Sequence, residues 1–373
     1  MLKGVFMLYM TALAASVFLL AYSNGANDNF KGVATIYGSG TSSYDGALRY
    51  ATIMTFLGSA TAFFLAAGLV KAFSGAGLVG VETVAQPEFL FSVSLGAALT
   101  VLTATRLGLP VSTTHALVGG LIGAGLMSAG TSLNFGVLMG KFVVPLLLSP
   151  FIAIMATAAV YPVFSYLRRA NGVTSESCVC VAAPAPAMVT PEGVVTSGDR
   201  PLVFTGDDKT CGEVYSGDIA GINAQTALNA LHYMSAGAVS FARGLNDTPK
   251  ILGLLAAVAV SHMDKAIIVI GAAMALGGII SARRVGETMS KQITPMNHGQ
   301  GFSANLVTSS VVIGASLIGA PVSTTHVSVG ALFGLGMVNR SCRWNTLMKI
   351  FGSWVITLPV AIGFSAVIFL LFS

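Results

Sequence analysis

The hexapeptide Pro-Val-Ser-Thr-Thr-His occupies Pro110–His115 and occurs again, letter for letter, at Pro321–His326. Each copy lies in an apolar stretch, where a proline followed by hydroxyl residues predicts the first turn of a helix. Inside a membrane, such a helix start offers free N–H groups, the positive end of the helix dipole and hydroxyl donors, which together suit a small oxyanion. The two copies therefore predict two equivalent polar helix starts within an apolar protein.

The composition around them indicates an all-α polytopic membrane protein. Of the 373 residues, 54% are hydrophobic and only 9% are charged. Apolar runs recur almost from end to end, whereas a transmembrane barrel would show short alternating strands. We expect about 10 to 12 membrane segments in the lipid bilayer of the plasma membrane. The net charge of +5 lies mostly in short connections such as 168–169, so it is expected to set topology and not to bind nucleic acid.

Two related halves are separated by a polar stretch. Asn27-Asp28 matches Asn246-Asp247, and the order of this pair and the hexapeptide is the same in both halves. The predicted organisation is a first membrane repeat, a polar extramembrane linker and a second membrane repeat, at residues 1–167, 168–217 and 218–373. The N-terminal stretch 1–23 resembles a secretory signal, but we expect a retained first helix because the motif that follows it recurs in mid-chain.

The residues that follow the first Asn-Asp pair predict a broken helix. The stretch 26–40 is shorter than the ~20 residues of a full span and contains three glycines. Duplicated units with broken helices and polar helix starts are typical of secondary transporters. If each unit crosses the membrane an odd number of times, the copies are inverted and the two hexapeptides meet near the midplane.

Asp28 and Asp247 are the first candidates for chemistry, because a carboxylate at membrane depth is costly and needs a partner. The alternative is an interfacial Asp that caps a helix outside the bilayer, but the position and its neighbours recur in both halves. With Asn27 and Asn246 they supply hard oxygen ligands suited to Na⁺, while an Asp alone could carry a proton.

Other polar residues of the motifs are candidates for the anion or for accessory roles. A single hydroxyl triplet is usually a cap, but two identical triplets indicate a shared ligand site. These hydroxyl residues are Ser112, Thr113, Thr114, Ser323, Thr324 and Thr325. His115 and His326 either titrate or are buried structural histidines.

Basic residues near the motifs differ in how well they match between the halves. Lys31 and Lys250 follow the aspartates by three residues, so they either pair with them or extend to an interface. Arg106 and Arg243 have no basic counterpart in the other half. On simple alignment their counterparts are Leu317 and Asn24, so both arginines are weaker site candidates.

Three features resemble the inorganic phosphate transporter (PiT) family across nearly the whole chain: Gly25–Asp28, Gly244–Asp247 and the duplicated hexapeptide. The resemblance implies a cation-coupled phosphate symporter, with Na⁺ favoured and H⁺ as the alternative. It also implies an inverted repeat with paired re-entrant half-helix hairpins, a homodimer and no cofactor. Carried over by motif, the Asn-Asp pairs would bind the coupling cation and the hydroxyl triplets would bind phosphate.

The chain departs from this family at two positions. Many members have a glutamate where this chain places Thr55, and often an acidic residue near Asn305. The family also includes sulfate permeases, so sulfate is the alternative anion. HPO₄²⁻ has a proton to donate, and an acceptor such as Asp28 or Asp247 would select it over sulfate. Without a fixed arginine, co-bound cations and two helix starts would have to neutralise the anion.

Two other classes of protein also place aspartates or repeated half-helices inside a membrane. An intramembrane aspartyl protease needs unlike roles for its two aspartates, whereas Asp28 and Asp247 lie in near-identical repeats. We therefore expect no enzyme activity. An anion channel is the better rival, because repeats and half-helices also build pores.

Overall fold

The computed structural model describes most of the chain. The described residues are 2–130, 133–171, 174–176, 179–182, 188–189, 195–196, 202–205, 214–216, 218–219, 222–256 and 263–373. They form two compact units, one made of Met1–Pro162 with Leu231–Ser373 and the other of Val163–Ala230.

Helices make up the regular structure of the first half. Its α-helices are α1 (Leu2–Asp28), α2 (Ala34–Gly38), α3 (Tyr44–Leu65), α4 (Ala67–Phe73), α5 (Val81–Val84), α6 (Pro87–Arg106), α7 (Thr113–Ala129), α8 (Phe135–Val137) and α9 (Val144–Ala170). A 3-10 helix at Asn29–Val33 joins α1 to α2, and a π-helix at Leu138–Val143 joins α8 to α9.

The second half has the same helical character. Its α-helices are α10 (Ala224–Gly253), α11 (Met263–Ser281), α12 (Arg283–Glu287), α13 (His298–Leu317), α14 (Thr324–Val338) and α15 (Trp344–Phe372). A π-helix at Thr288–Gln292 follows α12. The broken helix predicted after the first Asn-Asp pair is observed, because α1 tightens to a 3-10 helix at Asn29. Helix α10, which carries the second Asn-Asp pair, instead stays α-helical to Gly253 with Pro249 inside it.

Eight short strands lie among the described residues of the smaller unit. They are β1 (Thr174–Glu176), β2 (Val179–Ala182), β3 (Met188–Val189), β4 (Val195–Thr196), β5 (Leu202–Thr205), β6 (Val214–Ser216), β7 (Asp218–Ile219) and β8 (Ile222–Asn223). The antiparallel pairs are β1–β6, β2–β5, β3–β4 and β7–β8. These strands lie in or just after the predicted linker 168–217, whose other residues beyond position 171 lie outside the described residues. The boundaries of the linker and of the two repeats stay a prediction.

Each half contains one helical hairpin at its hexapeptide. Helix α6 packs against α7, and α13 packs against α14. The residue before the second helix has nearly the same backbone in both hairpins, with φ −98° and ψ 114° at Ser112 and φ −97° and ψ 116° at Ser323. The duplicated sequence therefore folds into a duplicated structure, as predicted.

The two halves interlock through helix crossings at glycines. A Cβ atom on Gly25 of α1 would lie 1.8 Å from the carbonyl oxygen of Met274 in α11, and one on Gly244 of α10 would lie 2.1 Å from that of Thr55 in α3. The first helix of each half thus crosses the second long helix of the other half, α11 or α3, at a separation that only glycine permits. These crossings bring the ends of α1 and α10 into the same interior.

The described chain contains six helical stretches long and apolar enough to cross a membrane. They are Met7–Gly38, Tyr44–Leu65, Pro87–Arg106, Phe135–Ala170, Met263–Ser281 and Trp344–Phe372. On α15, Val355 and Leu371 are 74% and 72% exposed, as lipid-facing side chains would be. The larger unit is thus all-α, the chain is a multi-pass membrane protein, and the number of 10 to 12 segments stays a prediction.

Candidate substrate and cation site

Both hexapeptides form the capped helix starts that the sequence predicts. The Ser112 hydroxyl accepts a hydrogen bond from the backbone N–H of His115 at 3.1 Å, and the Ser323 hydroxyl accepts one from that of His326 at 3.2 Å. Each serine is therefore the N-cap of its helix, α7 or α14, and satisfies one of the unpaired amides of the first turn.

The threonines connect one hexapeptide to the other. The Thr114 hydroxyl donates to the carbonyl oxygen of Val322 at 3.3 Å, and the Thr325 hydroxyl donates to that of Val111 at 2.8 Å. Thr113 instead donates to Oδ2 of Asp28 at 3.2 Å, and Thr324 is buried at the first position of α14. The two helix starts therefore meet, as the inverted repeat predicts.

Asp28 and Asp247 meet at a single amide. Nδ2 of Asn24 lies 3.0 Å from Oδ2 of Asp28 and 3.2 Å from Oδ2 of Asp247. Both aspartates are buried, with exposed fractions of 1% and 2%. The two carboxylates, more than 200 residues apart in the chain, thus share one interior site.

Lys31 lies inside a shell of oxygen atoms. Its Nζ forms an ion pair with Asp28 and donates to Oδ1 of Asn27 at 2.8 Å. The same Nζ donates to the carbonyl oxygen of Val111 at 2.9 Å and to Oγ1 of Thr325 at 2.6 Å. The side chain therefore pairs with its aspartate and does not extend to an interface.

Lys250 has the equivalent surroundings in the second half. Its Nζ lies 3.2 Å from Oδ1 of Asp247, 2.7 Å from Oγ1 of Thr114 and 2.6 Å from the carbonyl oxygen of Val322. Each lysine thus contacts the aspartate of its own half and a threonine of the other half.

The two asparagines of the Asn-Asp pairs hold the hairpin turns. Nδ2 of Asn27 donates to Oγ1 of Thr105 at 2.9 Å and to the carbonyl oxygen of Leu109 at 3.0 Å. In the second half, Oδ1 of Asn246 accepts from Ser316 at 3.2 Å, and Ser316 is the counterpart of Thr105. Both asparagines therefore position the chain that leads into the hexapeptide.

Arg243 is a stronger site candidate in the structure than its unmatched position in the sequence suggested. It is 1% exposed, and its three guanidinium nitrogens have no hydrogen-bond partner among the described residues. Its charge interacts with the carboxylates of Asp28 and Asp247. Its counterpart Asn24 also has an unpartnered atom, Oδ1, in the described part of the chain. The signal in the sequence was this shared position, three residues before each Asn-Asp pair.

His115 and His326 meet in the same region. Their ring centroids lie 4.5 Å apart, and the His326 ring lies 3.9 Å from that of Trp354. The Trp354 indole N–H donates to the carbonyl oxygen of Pro110 at 3.1 Å. Nδ1 of His326 lies 3.4 Å from the carbonyl oxygen of Leu146. These contacts support a packing role for the histidines.

The residues at the positions where the PiT family often has acidic groups are neutral and hydrogen-bonded. Oγ1 of Thr55 donates to Oδ1 of Asn29 at 3.3 Å, and Nδ2 of Asn305 donates to Oγ1 of Thr35 at 2.8 Å. All four residues are buried. They add no charge to the site.

Five charged side chains are buried in the part of the chain that the structure describes, and all five belong to this site. They are Asp28, Lys31, Arg243, Asp247 and Lys250, called the buried charge cluster below. Three positive and two negative groups leave one positive charge. A buried charge requires a partner, so the cluster is complementary to an anion.

Known proteins that are similar to this chain are phosphate transporters and permeases. The phosphate transporter family matches residues 24–365. A candidate phosphate permease of Thermococcus kodakarensis is 28% identical and covers 94% of this chain and 95% of its own. The chloroplastic inorganic phosphate transporter 2-1 of Arabidopsis thaliana is also 28% identical, over 96% of this chain and 71% of its own.

A solved structure, described as the sodium-dependent phosphate transporter, has the same fold. Its TM-score is 0.76 at 21% identity, with 97% of this chain and 98% of that chain covered. Since the family that matches the chain is a family of transporters, the protein is not an enzyme. The family match spans nearly the whole chain, including both Asn-Asp pairs and both hexapeptides, and the chain belongs to the phosphate transporter family.

Proposed function

We propose that this protein imports inorganic phosphate across the plasma membrane by symport with a cation, Na⁺ or H⁺. One observation carries the proposal: two equivalent helix starts meet at the buried charge cluster, where Arg243 has no hydrogen-bond partner among the described residues. Helix starts and a guanidinium are both suited to bind a small oxyanion.

Phosphate is favoured over sulfate by the acceptors near Arg243. At neutral pH phosphate carries at least one P–OH group, which donates a hydrogen bond, whereas sulfate has no proton to donate. Oδ1 of Asn24 lacks a partner within the described residues, and the carboxylates of Asp28 and Asp247 lie beside the same amide. The relatives described above are named for phosphate, so the sulfate alternative gains no support.

The anion would contact groups from both halves. Arg243 would donate to the phosphate oxygens, and the hydroxyl triplets would complete the shell from the two helix starts. Because each triplet is hydrogen-bonded to the opposite half, a movement of one half relative to the other changes the same site. Such a shared site at a repeat interface supports alternating access and argues against an open channel.

The coupling cation is the second part of the proposal. Asn27, Asp28, Asn246 and Asp247 supply oxygen atoms suited to Na⁺, and the solved structural neighbour is named as sodium-dependent. H⁺ is the alternative, and the contacts of the two lysines bear on this choice below. A homodimer is also proposed, from the resemblance to the PiT family.

Uptake into proteoliposomes tests the function. With an inward Na⁺ gradient and an inward H⁺ gradient imposed together, we expect radiolabelled phosphate to accumulate above its external concentration. Asp28→Asn and Asp247→Asn should each abolish accumulation, because each leaves a buried lysine without its counter-charge. The matched control is Asp45→Asn, an exposed residue in the first turn of α3.

Two results would contradict the proposal. Preferential uptake of sulfate would overturn the substrate. Phosphate flux that only equilibrates across the membrane, whatever cation gradient is imposed, would rule out coupled symport and favour a channel.

A further inference from the structure

We propose that the ammonium groups of Lys31 and Lys250 occupy the positions predicted for the coupling Na⁺, and that phosphate transport by this chain does not require Na⁺. The inference rests on the proposed phosphate transport and specifies its cation. It leaves H⁺ as the coupling ion.

The oxygen atoms around Lys31 are those that a Na⁺ ion would use. They comprise a carboxylate of Asp28, the amide oxygen of Asn27, the carbonyl oxygen of Val111 and the hydroxyl oxygen of Thr325. Such a mixture of hard oxygen ligands suits an alkali cation. Here a single nitrogen atom contacts all four, so the position is already filled by a positive charge.

Lys250 fills the equivalent position in the second half. Its Nζ contacts a carboxylate oxygen of Asp247, the hydroxyl of Thr114 and the carbonyl oxygen of Val322. These three oxygens match three of the four around Lys31 in kind and in place in the repeat, while the amide oxygen of Asn246 accepts from Ser316 instead. The arrangement is therefore built twice, which a chance contact of one flexible side chain would not produce.

Both lysines are buried together with the oxygen atoms that surround them. Their exposed fractions are 4% for Lys31 and 1% for Lys250. A Na⁺ bound to the same oxygens would lie at contact distance from an ammonium, where like charges repel strongly in a poorly screened interior. Moving the ammonium away would leave its aspartate without a counter-charge.

The charge of the site leads to the same conclusion. The buried charge cluster carries one net positive charge without any added ion, which one H₂PO₄⁻ neutralises. Two added Na⁺ ions would raise the net charge to three, more than one phosphate can balance. The lysines thus supply the positive charge that bound cations would bring.

Sodium dependence of the wild-type protein is the direct test. Phosphate uptake into proteoliposomes is driven by an inward H⁺ gradient, with either Na⁺ or choline as the external cation at fixed pH. We expect the two rates to agree within about twofold, because the lysines make Na⁺ unnecessary. In parallel, equilibrium dialysis with ²²Na⁺ and phosphate should show no stoichiometric Na⁺ binding.

Either of two outcomes would overturn the inference. One is stoichiometric binding of ²²Na⁺, and the other is phosphate uptake that is about tenfold or more slower in choline than in Na⁺. Either would mean that the lysines leave their positions when Na⁺ arrives. Failure to transport phosphate under any gradient would refute the proposed function, while the dialysis result would still decide whether Na⁺ binds.

A lysine variant tests the same point from the opposite direction. Lys31→Ala removes the ammonium and leaves its oxygen ligands in place, so phosphate binding by the purified variant should become Na⁺-dependent. The matched control is Lys141→Ala, an exposed lysine in the first π-helix, which should behave like wild type. If Lys31→Ala binds phosphate equally well in Na⁺ and in choline, Lys31 does not stand in for Na⁺.

Discussion

Arg243 differs from every other buried charge of the described chain in having no hydrogen-bond partner there. Asp28 and Asp247 each pair with a lysine, and those lysines are surrounded by oxygen atoms. An unpaired buried guanidinium is costly, and it persists where a ligand supplies the missing partner. Arg243 in the second half and Asn24 in the first half occupy equivalent positions of the repeats, so one repeat has a strong donor there and the other has an amide.

Substitution of Arg243 should weaken phosphate binding more than it weakens the fold. Arg243→Gln keeps a donor but removes the charge, and we expect the dissociation constant for phosphate to rise about tenfold to a hundredfold, equivalent to about 1.5–3 kcal/mol. Isothermal titration calorimetry of the purified variant measures this change.

The control for Arg243→Gln is Arg106→Gln. Arg106 is the other unmatched arginine, its side chain is exposed, and its carbonyl oxygen, which the substitution retains, accepts from Arg284. Equal affinities in the two variants would exclude Arg243 as an anion ligand.

At the level of helices, the two hexapeptide starts combine a structural task with a binding task. Ser112 and Ser323 cap α7 and α14, and the residues around them contact Asp28, Lys31 and Lys250. Loss of the cap would free the backbone amides of the first helical turn and would also displace the neighbouring hydroxyl groups. Stability of the helix start and affinity for phosphate should therefore change together.

Removal of either serine cap should lower phosphate affinity. Ser112→Ala and Ser323→Ala are each expected to cost about 1 kcal/mol of stability through the lost cap and to weaken phosphate binding measurably by calorimetry. Ser43→Ala is the matched control, because Ser43 caps α3 through Gly46 in the same way at the half-exposed start of that helix. Unchanged affinity in both hexapeptide variants would mean that the helix starts do not form the site.

The glycine crossings predict where the fold tolerates no side chain. A Cβ on Gly25 would overlap the backbone of α11, so Gly25→Ala should lower the melting temperature strongly or prevent folding. In α15, a Cβ on Gly363 meets no atom of the described chain within 4 Å. Gly363→Ala should leave the melting temperature unchanged or raise it, since alanine favours the helix.

Thermal unfolding in detergent compares the two glycine variants. Similar melting temperatures would show that the crossing of α1 and α11 is looser than the contact distances indicate. A lower melting temperature in Gly25→Ala but not in Gly363→Ala would confirm that the two halves depend on this close approach.

The whole molecule is organised by the exchange of contacts between its halves. α1 crosses α11, α10 crosses α3, and each hexapeptide donates to a carbonyl of the other. In an inverted repeat, equivalent positions lie on opposite sides of the membrane. The basic connection at 283–300 is expected to be cytoplasmic, so the equivalent region after α3 should be external.

Labelling from each side of the membrane tests this topology. Lys71 and Lys291 are exposed and lie after the long helices α3 and α11, respectively. In a chain with its own cysteines replaced, Lys71→Cys should react with an impermeant maleimide from outside intact cells, and Lys291→Cys only after the cells are opened. Reaction of both from the same side would rule out inverted repeats.

Much of the architecture was readable from the chain itself. Apolar runs, the duplicated hexapeptide and the repeated Asn-Asp pair led to membrane helices, two repeats and the residues of the site. These are local patterns of hydropathy, helix capping and glycine placement, and local patterns can be recognised in the sequence alone. The helix starts are accordingly found at Ser112 and Ser323, where the motif places them.

The partners of the charged residues had to come from tertiary structure. Lys31 donates a hydrogen bond to Thr325, which lies 294 residues further along the chain. The amide of Asn24 contacts both Asp28 and Asp247, and Asp247 is 223 residues from Asn24. No periodicity encodes such distances, because they depend on how one half folds against the other. The sequence left open whether the lysines pair with the aspartates or extend to an interface, and the structure shows that they pair. Arg243 was a weak candidate from the sequence because its counterpart, Asn24, is not basic. Its burial beside the two aspartates became visible only in the tertiary structure, since the surroundings of an interior charge are set by the packing of the two halves.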